Sequence, residues 1–409
     1  MQESSSYAVG IDIGTTTVRA VVARIDASSG TPRIIGVGAT KTSGMRKGVV
    51  VNLNGPAQAI DEALAEAERM GGYEVSSGAM SINGAHILST RVDGMVAVSS
   101  PDHEITPDDL ARIEEVATVG KVPANREILD VAPHMYTLDG QGGIKDPLGM
   151  TGTRLEMEAH VVSALSPYLN SLQKAAEAAK VMPRAIVPAG IAAAKAVLRE
   201  NQIENGVALV DIGGSTTNVA VYEEGDLQFA GVVPLGGMHI TNDLAIGLKT
   251  DPEVAEKIKL EHASAVHRRD NSGISVKHDD EIFSFQTEEI DEIVEARLEE
   301  IFEAVQSELK KAGRAGKLPS GVVLSGGTAH LKGIDEYAKQ ALGLAVRIGK
   351  PGVYGSVSED IESPEYATAV GLMLIDAQDI FVGGGRMKQN SPSKKATGVV
   401  SRLLIRFRA

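Results

Sequence analysis

Short apolar runs end at acidic turns in two widely separated places along this chain. Residues 8–11 (Ala-Val-Gly-Ile) run into Asp12, and residues 207–210 (Val-Ala-Leu-Val) run into Asp211. A second run rich in apolar and β-branched residues follows each turn. Because short continuous apolar runs bounded by turn residues are typical of buried strands, this pattern predicts two strand–turn–strand hairpins. Each hairpin would carry a carboxylate at its tip.

The two turns also share glycines and hydroxyl side chains. The first reads Asp-Ile-Gly-Thr-Thr-Thr over residues 12–17, and the second reads Asp-Ile-Gly-Gly-Ser-Thr-Thr over residues 211–217. Glycine lets backbone N–H groups approach phosphate oxygens, and two carboxylates can hold the waters of Mg²⁺. One such turn is weak evidence, since Asp and Gly are ordinary turn residues, but two facing copies predict a polyphosphate clamp. The residues assigned to phosphate are Asp12, Gly14, Thr15, Thr16, Asp211, Gly213, Gly214, Ser215 and Thr216, with Asp12 and Asp211 also holding Mg²⁺ through water.

Two further elements extend this pattern. A third apolar run, residues 322–324, leads into a Gly-Gly-Thr turn at residues 326–328. A helical stretch that begins near Pro252 carries Glu256 and Lys259, which share one helix face. The Glu can accept hydrogen bonds from ribose hydroxyls and the Lys stem can pack on adenine, although in isolation a solvated ion pair explains them better. The residues assigned to the nucleoside side are Gly237, Glu256, Lys259, Gly326, Gly327 and Thr328.

These four elements, in this order, resemble those of the actin–Hsp70–hexokinase superfamily. The resemblance implies ATP and Mg²⁺ as ligands, and an α/β fold of two actin-like domains with the nucleotide in the cleft between them. No Walker A pattern occurs, and no Gly-x-Gly-x-x-Gly follows a predicted strand. P-loop and Rossmann folds are therefore disfavoured.

The block at residues 83–162, between the two acidic turns, is predicted to be a small inserted α+β subdomain. Thr106 and Pro107 mark the start of a helix, because Thr is a good N-cap and Pro suits the first turn. Residues 127–133 and 156–162 alternate between apolar and polar side chains as strands do.

Motifs within this block, and one beyond the second acidic turn, restrict the resemblance to one family of the superfamily. Residues 82–87, 104–109, 146–156 and 236–244 closely resemble the FtsA family of bacterial actin-like cell-division proteins, and the resemblance covers essentially the whole chain. It implies a protein that binds ATP, polymerises into actin-like protofilaments and lies on the inner face of the cytoplasmic membrane at the division septum. It also implies that the protein tethers FtsZ through the C-terminal peptide of FtsZ, bound at about residues 234–316, and recruits later divisome proteins.

The resemblance also suggests the domain limits. The first actin-like domain is expected at residues 1–82 with 163–184 and 358–382, and the second at 185–233 with 317–357. The inserted subdomain is expected at 83–162, an outer subdomain at 234–316, a flexible linker at 383–398 and an amphipathic helix at 399–409.

The last eleven residues, 399–409, have apolar side chains at the i, i+3, i+4, i+7 spacing of one helix face, with arginines on its flank. Such a helix would be roughly 16 Å long, too short to cross a bilayer but able to lie in its interface. A helix docked on the protein's own core, or on another protein, is the alternative. The residues assigned to the membrane are Val399, Val400, Arg402, Leu403, Leu404, Arg406 and Phe407.

Composition restricts the remaining choices. The net charge of -14 argues against a general nucleic-acid binder, although residues 380–409 contain basic residues and no acid. The 409 residues include no Cys, which excludes disulfides and thiolate metal sites and fits a cytoplasmic location. Residues 1–7 lack a signal-peptide pattern, and no apolar run approaches the ~20 residues that span a bilayer.

Two other functions stay open from the residues alone. One is a small-molecule kinase of the same superfamily, in which Asp12 or Asp211 would serve as the base; the other is a pilus-assembly platform protein. Asn218 stands where the second turn of FtsA-like proteins commonly ends in Asp. We therefore expect nucleotide binding and polymerisation, with at most weak ATPase activity, as the main role.

Overall fold

The computed structural model describes residues 6–268, 272–279, 281–356 and 358–384. The chain opens with a three-stranded antiparallel meander followed by two short strands, a long helix and a further strand. In order these are β1 (Ser6–Ile13), β2 (Thr17–Ile25), β3 (Pro32–Lys41), β4 (Met45–Arg46), β5 (Val49–Val50), α1 (Asn54–Gly71) and β6 (Ser77–Ile82). Helix α1 ends at Gly71, and Gly72 caps it with a φ of 66°, the left-handed conformation that glycine adopts at helix ends.

The inserted block follows β6 and forms its own sheet. Its elements are β7 (Leu88–Ala97), α2 (Pro107–Thr118), β8 (Arg126–Leu138), β9 (Gln141–Ile144) and β10 (Arg154–Leu165), with the sheet order β7-β10-β8-β9. Helix α2 packs on this sheet and begins, as the sequence predicts, with Thr106 as its N-cap and Pro107 in its first turn. The Asp109 side chain completes the cap by accepting from the backbone N–H of Thr106. Buried Ile113, Leu155 and Val161 belong to its core.

The chain then returns to the first sheet. The next elements are α3 (Ser166–Ala178), β11 (Met182–Pro188), α4 (Ala189–Val197) and α5 (Glu200–Asn205). Strand β11 pairs parallel with β6, and β6 pairs parallel with β1, so the first sheet has the order β11-β6-β1-β2-β3.

A second sheet repeats this topology. Its elements and their surrounding helices are β12 (Val207–Ile212), β13 (Thr217–Glu223), β14 (Asp226–Val233), α6 (Gly237–Gly247), α7 (Pro252–His262), β15 (Gly273–His278), β16 (Glu281–Gln286), α8 (Thr287–Lys311), β17 (Val322–Ser325), α9 (Ile334–Leu342) and β18 (Val346–Ile348). The last described helix, α10 (Ala367–Gly384), follows β18 but packs on the first sheet. The order of the second sheet is β14-β13-β12-β17-β18, again an antiparallel meander extended by parallel strands. We call the sheet that contains β1, with its helices, lobe 1, and the sheet that contains β12, with its helices, lobe 2.

Helix α10 closes the fold by packing against β1 of lobe 1 and against α4. In the part of the chain that the structure describes, no helix has the length and apolar content needed to cross a membrane. The predicted membrane helix at 399–409 and the predicted linker beyond residue 384 lie outside the described residues.

Candidate functional site

The two acidic turns lie at the centres of the two sheets. Asp12 is near the end of β1, which lies between β2 and β6, and Asp211 is near the end of β12, which lies between β13 and β17. Each turn closes with the same backbone hydrogen bond, from Gly14 N to Thr17 O at 3.2 Å and from Gly213 N to Thr216 O at 2.9 Å. The repeated sequence has therefore folded into the same local structure twice, as predicted.

The two turns face each other across a cleft between the lobes. The Ser215 hydroxyl donates a hydrogen bond to Thr15 Oγ1 at 2.7 Å, and Asn83 Nδ2 donates to Thr216 Oγ1 at 3.1 Å. A Cβ at Gly214 would lie 2.5 Å from Thr16 Cγ2, so a larger residue there would displace the Thr16 side chain. Hydroxyls and backbone N–H groups of both turns thus converge on one space.

Each carboxylate is oriented by a neighbouring side chain. Ser81 Oγ donates to Asp12 Oδ1 at 2.8 Å while accepting from Ile13 N at 2.8 Å. In the other turn, Asn218 Nδ2 donates to Asp211 Oδ2 at 3.1 Å. Asn218, the departure from the family pattern, therefore serves as an amide donor to the carboxylate.

The electrostatics of the pair suit a divalent cation. Burial and, to a lesser degree, the nearby charge of Asp12 together raise the pKa of Asp211 to about 7; burial also raises the pKa of Asp12. Two carboxylates that are costly to ionise side by side are stabilised by a cation, and carboxylate oxygens are ligands that Mg²⁺ accepts. The donor set therefore fits Mg²⁺ between the two turns.

The third loop packs directly on the second turn. Gly326 has a φ of 84°, and a Cβ there would lie 2.5 Å from Ile212 O and 2.7 Å from Asp211 Oδ1. Thr328 Oγ1 donates to Gly213 O at 3.2 Å, and a Cβ at Gly237 would lie 2.5 Å from that hydroxyl oxygen. The residues assigned to the two ends of the ligand are therefore adjacent in space.

Two cavities adjoin at this loop. One, of about 90 Å³, is lined by both acidic turns, and the other, of about 220 Å³, lies between α7 and residues 327–332. Gly327 lines both cavities. Ile240, Leu260 and Leu331 give the larger cavity apolar surface. The pair of cavities matches a ligand with a charged chain at one end and a planar ring at the other.

The helix pair predicted from α7 is more than a surface ion pair. Lys259 Nζ lies 2.6 Å from Glu256 Oε2 and 2.9 Å from Thr241 Oγ1, and the Thr241 hydroxyl also donates to Glu256. Lys259 lines the larger cavity with 14% of its side chain exposed, whereas Glu256 is 42% exposed. The structure thus places Lys259 at the cavity and Glu256 beside it.

Several residues of the site are not evident from the motifs. Ser81, Asn83 and Thr241 are single polar residues within ordinary strand, turn and helix sequences, and they reach the site only through the fold. The position of Arg19 could have been predicted from the sequence, because the register of the predicted hairpin places it opposite Asp12. That the assembled residues bind a nucleotide stays a prediction.

The two related sheets, with paired acidic hairpins at one cleft, define a protein of the actin-like fold. Solved structures support this class and show the fold alone. The chain is similar to a PilM–PilN type IV pilus biogenesis complex, with a TM-score of 0.65 and 17% identity over 90% of this chain and 98% of that chain. It is also similar to MreB 5 of Spiroplasma citri bound to AMPPNP, with a TM-score of 0.54 and 14% identity over 94% of this chain and 100% of that one.

Sequence comparison identifies the family within that class. Residues 208–371 match the model of the cell division protein FtsA, and residues 84–163 match the SHS2 domain inserted in FtsA. The chain is 34% identical to the cell division protein FtsA of Pseudomonas aeruginosa over 400 residues, which is 95% of each chain. The chain therefore belongs to the FtsA family of cell-division proteins, and the predicted family and fold class are confirmed.

Proposed function

We propose that this protein binds ATP with Mg²⁺ between its two lobes, polymerises on the inner face of the cytoplasmic membrane and tethers FtsZ filaments there. The observation that carries the nucleotide part is the meeting of two glycine-rich acidic turns beside a partly apolar cavity. The membrane and partner parts are supported by membership of the FtsA family and by the sequence of residues 399–409.

The roles of the site residues follow from their chemistry. Backbone N–H groups and hydroxyls of the two turns would bind the phosphates, and Asp12 and Asp211 would hold Mg²⁺ through water. Lys259 and Glu256 would contact the nucleoside. Within the described residues, no three His, Asp or Glu side chains group closely enough to hold a metal ion on their own. Mg²⁺ would therefore take its other ligands from water and phosphate, as it commonly does.

Membrane attachment would come from residues 399–409. Burying their apolar face would contribute about 25 cal/mol per Å², and each nearby Arg about 1 kcal/mol on an anionic surface. One short helix of this kind supports reversible attachment, and a polymer that presents many copies would bind far more tightly through avidity.

Partner binding is proposed from the family. The FtsZ C-terminal peptide would bind within residues 234–316, copies of this chain would associate into protofilaments, and later divisome proteins would be recruited at the septum. Family membership favours this role over a small-molecule kinase, and over a pilus-assembly platform protein. The likeness to the PilM–PilN structure, at 17% identity, is one of fold.

Liposome co-sedimentation tests the membrane part. The full chain and a chain that ends at Gly398 are each mixed with Mg²⁺–ATP and with vesicles that contain or lack phosphatidylglycerol. We expect only the full chain to pellet, and only with anionic vesicles. A full-chain variant Leu403→Asp should stay in the supernatant, whereas the matched variant Ser401→Asn should pellet. Equal pelleting of the full and shortened chains would contradict the proposed anchor.

A further inference from the structure

Arg19 lies on β2 directly opposite Asp12 of β1 in the first hairpin. Residues that are directly opposite in an antiparallel pair project from the same face of a sheet. The Arg19 side chain accordingly lines the smaller cavity together with Asp12 and Asp211. The first hairpin therefore places a guanidinium, as well as a carboxylate, at the cleft.

The charges around this cavity are otherwise negative. Asp12, Asp211 and Glu365 line it, and Arg19 is the one basic residue among the described residues that do so. Lys259, one of the basic residues that line the larger cavity, is already held in an ion pair with Glu256. A phosphate chain that enters between these carboxylates meets repulsion, which a cation at close range offsets.

The Arg19 guanidinium has donors to spare. Among the described residues no carboxylate lies within 4.0 Å of its nitrogens, although Asp12 faces it across the hairpin. Its Nε is buried without a hydrogen-bond partner in the same part of the chain. Leaving a buried charged donor unsatisfied is costly, and an acceptor bound in the cavity that Arg19 lines would remove that cost.

The guanidinium of Arg19 lies over an aromatic ring. Its Cζ lies 5.4 Å from the ring centroid of Tyr366, and Tyr366 is only 8% exposed. A cation–π contact with the face of a ring does not use the N–H groups, and the fork of the guanidinium matches the oxygens of a phosphate or a carboxylate.

We infer that Arg19 binds the terminal phosphate of the nucleotide in the cleft. The cavity that Arg19 lines is the one between the two carboxylates, whereas the nucleoside cavity lies beyond Gly327. A triphosphate with its ring in the larger cavity thus brings its last phosphate to Arg19. This inference rests on the proposed nucleotide binding, and it adds a residue that distinguishes ATP from ADP.

The test is calorimetric titration of the full chain with ATP, ADP and adenosine at a fixed saturating Mg²⁺ concentration. For Arg19→Met we expect ATP to bind about 10- to 100-fold more weakly, the effect of losing one charge-assisted hydrogen bond, with ADP changed by less than about 3-fold. Arg19→Lys, which keeps the charge without the fork, should lose less. Arg24→Met, an exposed arginine on the same strand, is the matched control.

Each outcome decides a separate point. Equal losses for ATP and ADP would overturn the assignment, because they would mean that Arg19 only neutralises the carboxylates. Unchanged ATP affinity in Arg19→Met would also overturn it. Thermal unfolding of both Arg19 variants shows whether each one is folded. If Arg19→Met does not fold, the ATP and ADP affinities of Arg19→Lys are compared with those of the unsubstituted chain instead. Failure of the unsubstituted chain to bind ATP would overturn the proposed function and this inference together.

Discussion

Two of the regions where lobe 2 meets the rest of the chain differ in how their ionisable groups are stabilised. In the cleft, Asp12 and Asp211 face each other with raised pKa values and with no basic group in salt-bridge contact among the described residues. At the second interface, the inserted sheet contacts β14. There Lys145 Nζ lies 2.6 Å from Asp226 Oδ2, and Gln228 Nε2 donates to His134 Nδ1 at 3.3 Å.

The histidines of this second interface are kept neutral. Burial lowers the pKa of His134 to about 3 and that of His160 to about 4, and the two rings meet edge to face with centroids 4.6 Å apart. An interface that only packs neutralises or pairs its ionisable groups, whereas a ligand site retains charges that the ligand will offset. This difference between the charged cleft and the neutral second interface is why we propose the ligand site in the cleft. Substitutions in the two regions test it.

The largest expected effect is at the cleft carboxylates. Asp211→Ala should weaken Mg²⁺–ATP binding at least about 100-fold, because it removes one of two groups that hold the metal. Asp226→Ala removes a carboxylate of the second interface and should leave the affinity within about 2-fold. Calorimetry at saturating Mg²⁺ measures both, and similar affinities for the two variants would contradict the assignment of Asp211.

The next effect concerns the glycine beside Asp211. In Gly326→Ala the new Cβ meets Ile212 O at 2.5 Å with φ at 84°, so we expect a loss of about 2 to 4 kcal/mol in the free energy of unfolding, and loss of ATP binding. Gly343→Ala has a φ of 64° but nothing within 4 Å of the Cβ, and should cost only about 1 kcal/mol. Urea unfolding compares the two; equal costs would show that the close approach at Gly326 does not matter.

The third effect is a pH dependence of the second interface. A His whose pKa is lower when folded binds fewer protons in the folded chain, so the free energy of unfolding falls as the pH drops below the unfolded pKa of about 6.5. The loss continues until the pH nears the folded value, about 3 for His134. Between pH 7 and pH 5 it should reach about 1 to 2 kcal/mol per buried His.

Replacing the histidine tests this. His134→Gln removes its titration and keeps an acceptor for Gln228, so unfolding of this variant should depend less on pH over that range. His103→Gln changes an exposed residue and should retain the full dependence. If the free energy of unfolding falls equally between pH 7 and pH 5 in both variants and in the unsubstituted chain, His134 does not cause the loss of stability in acid.

The smallest effect is at the ion pair of the second interface. Lys145→Met should destabilise the fold by only about 0.5 to 1 kcal/mol, because its side chain is 41% exposed and solvent screens the pair. Lys121→Met, at a looser pair with Asp93 at 3.4 Å, should cost still less. Neither should change ATP affinity. A large loss of affinity in Lys145→Met would mean that the second interface controls the cleft.

Local patterns in the sequence account for much of this structure. The two hairpins were predictable because a buried strand, a turn and a second strand are encoded within about twenty residues. The start of α2 was predictable because Thr106 is a good N-cap and Pro107 suits the first turn. The side chains that hydrogen-bond to the carboxylates were not predictable from the sequence, because Ser81 reaches Asp12 only after β6 pairs with β1.

The other unpredicted features depend on contacts between residues that are far apart in the sequence. Lys145 meets Asp226 across 81 residues, and no local pattern marks either residue as an interface group. Arg19 was partly predictable, because a hairpin with its turn at residues 14–17 places Arg19 opposite Asp12. The free donor on its guanidinium is visible only when the surrounding side chains are in place.

The measurement that tests the central claim most directly is photolabelling of the full chain with 8-azido-ATP and Mg²⁺, followed by mass spectrometry of the labelled peptides. The account predicts labels within residues 259–264, 327–328 and 330–332, which line the larger cavity, and their loss when excess ATP is present. Labels confined to the inserted sheet at residues 88–165, or labels that excess ATP does not displace, would contradict a nucleotide site between the two lobes.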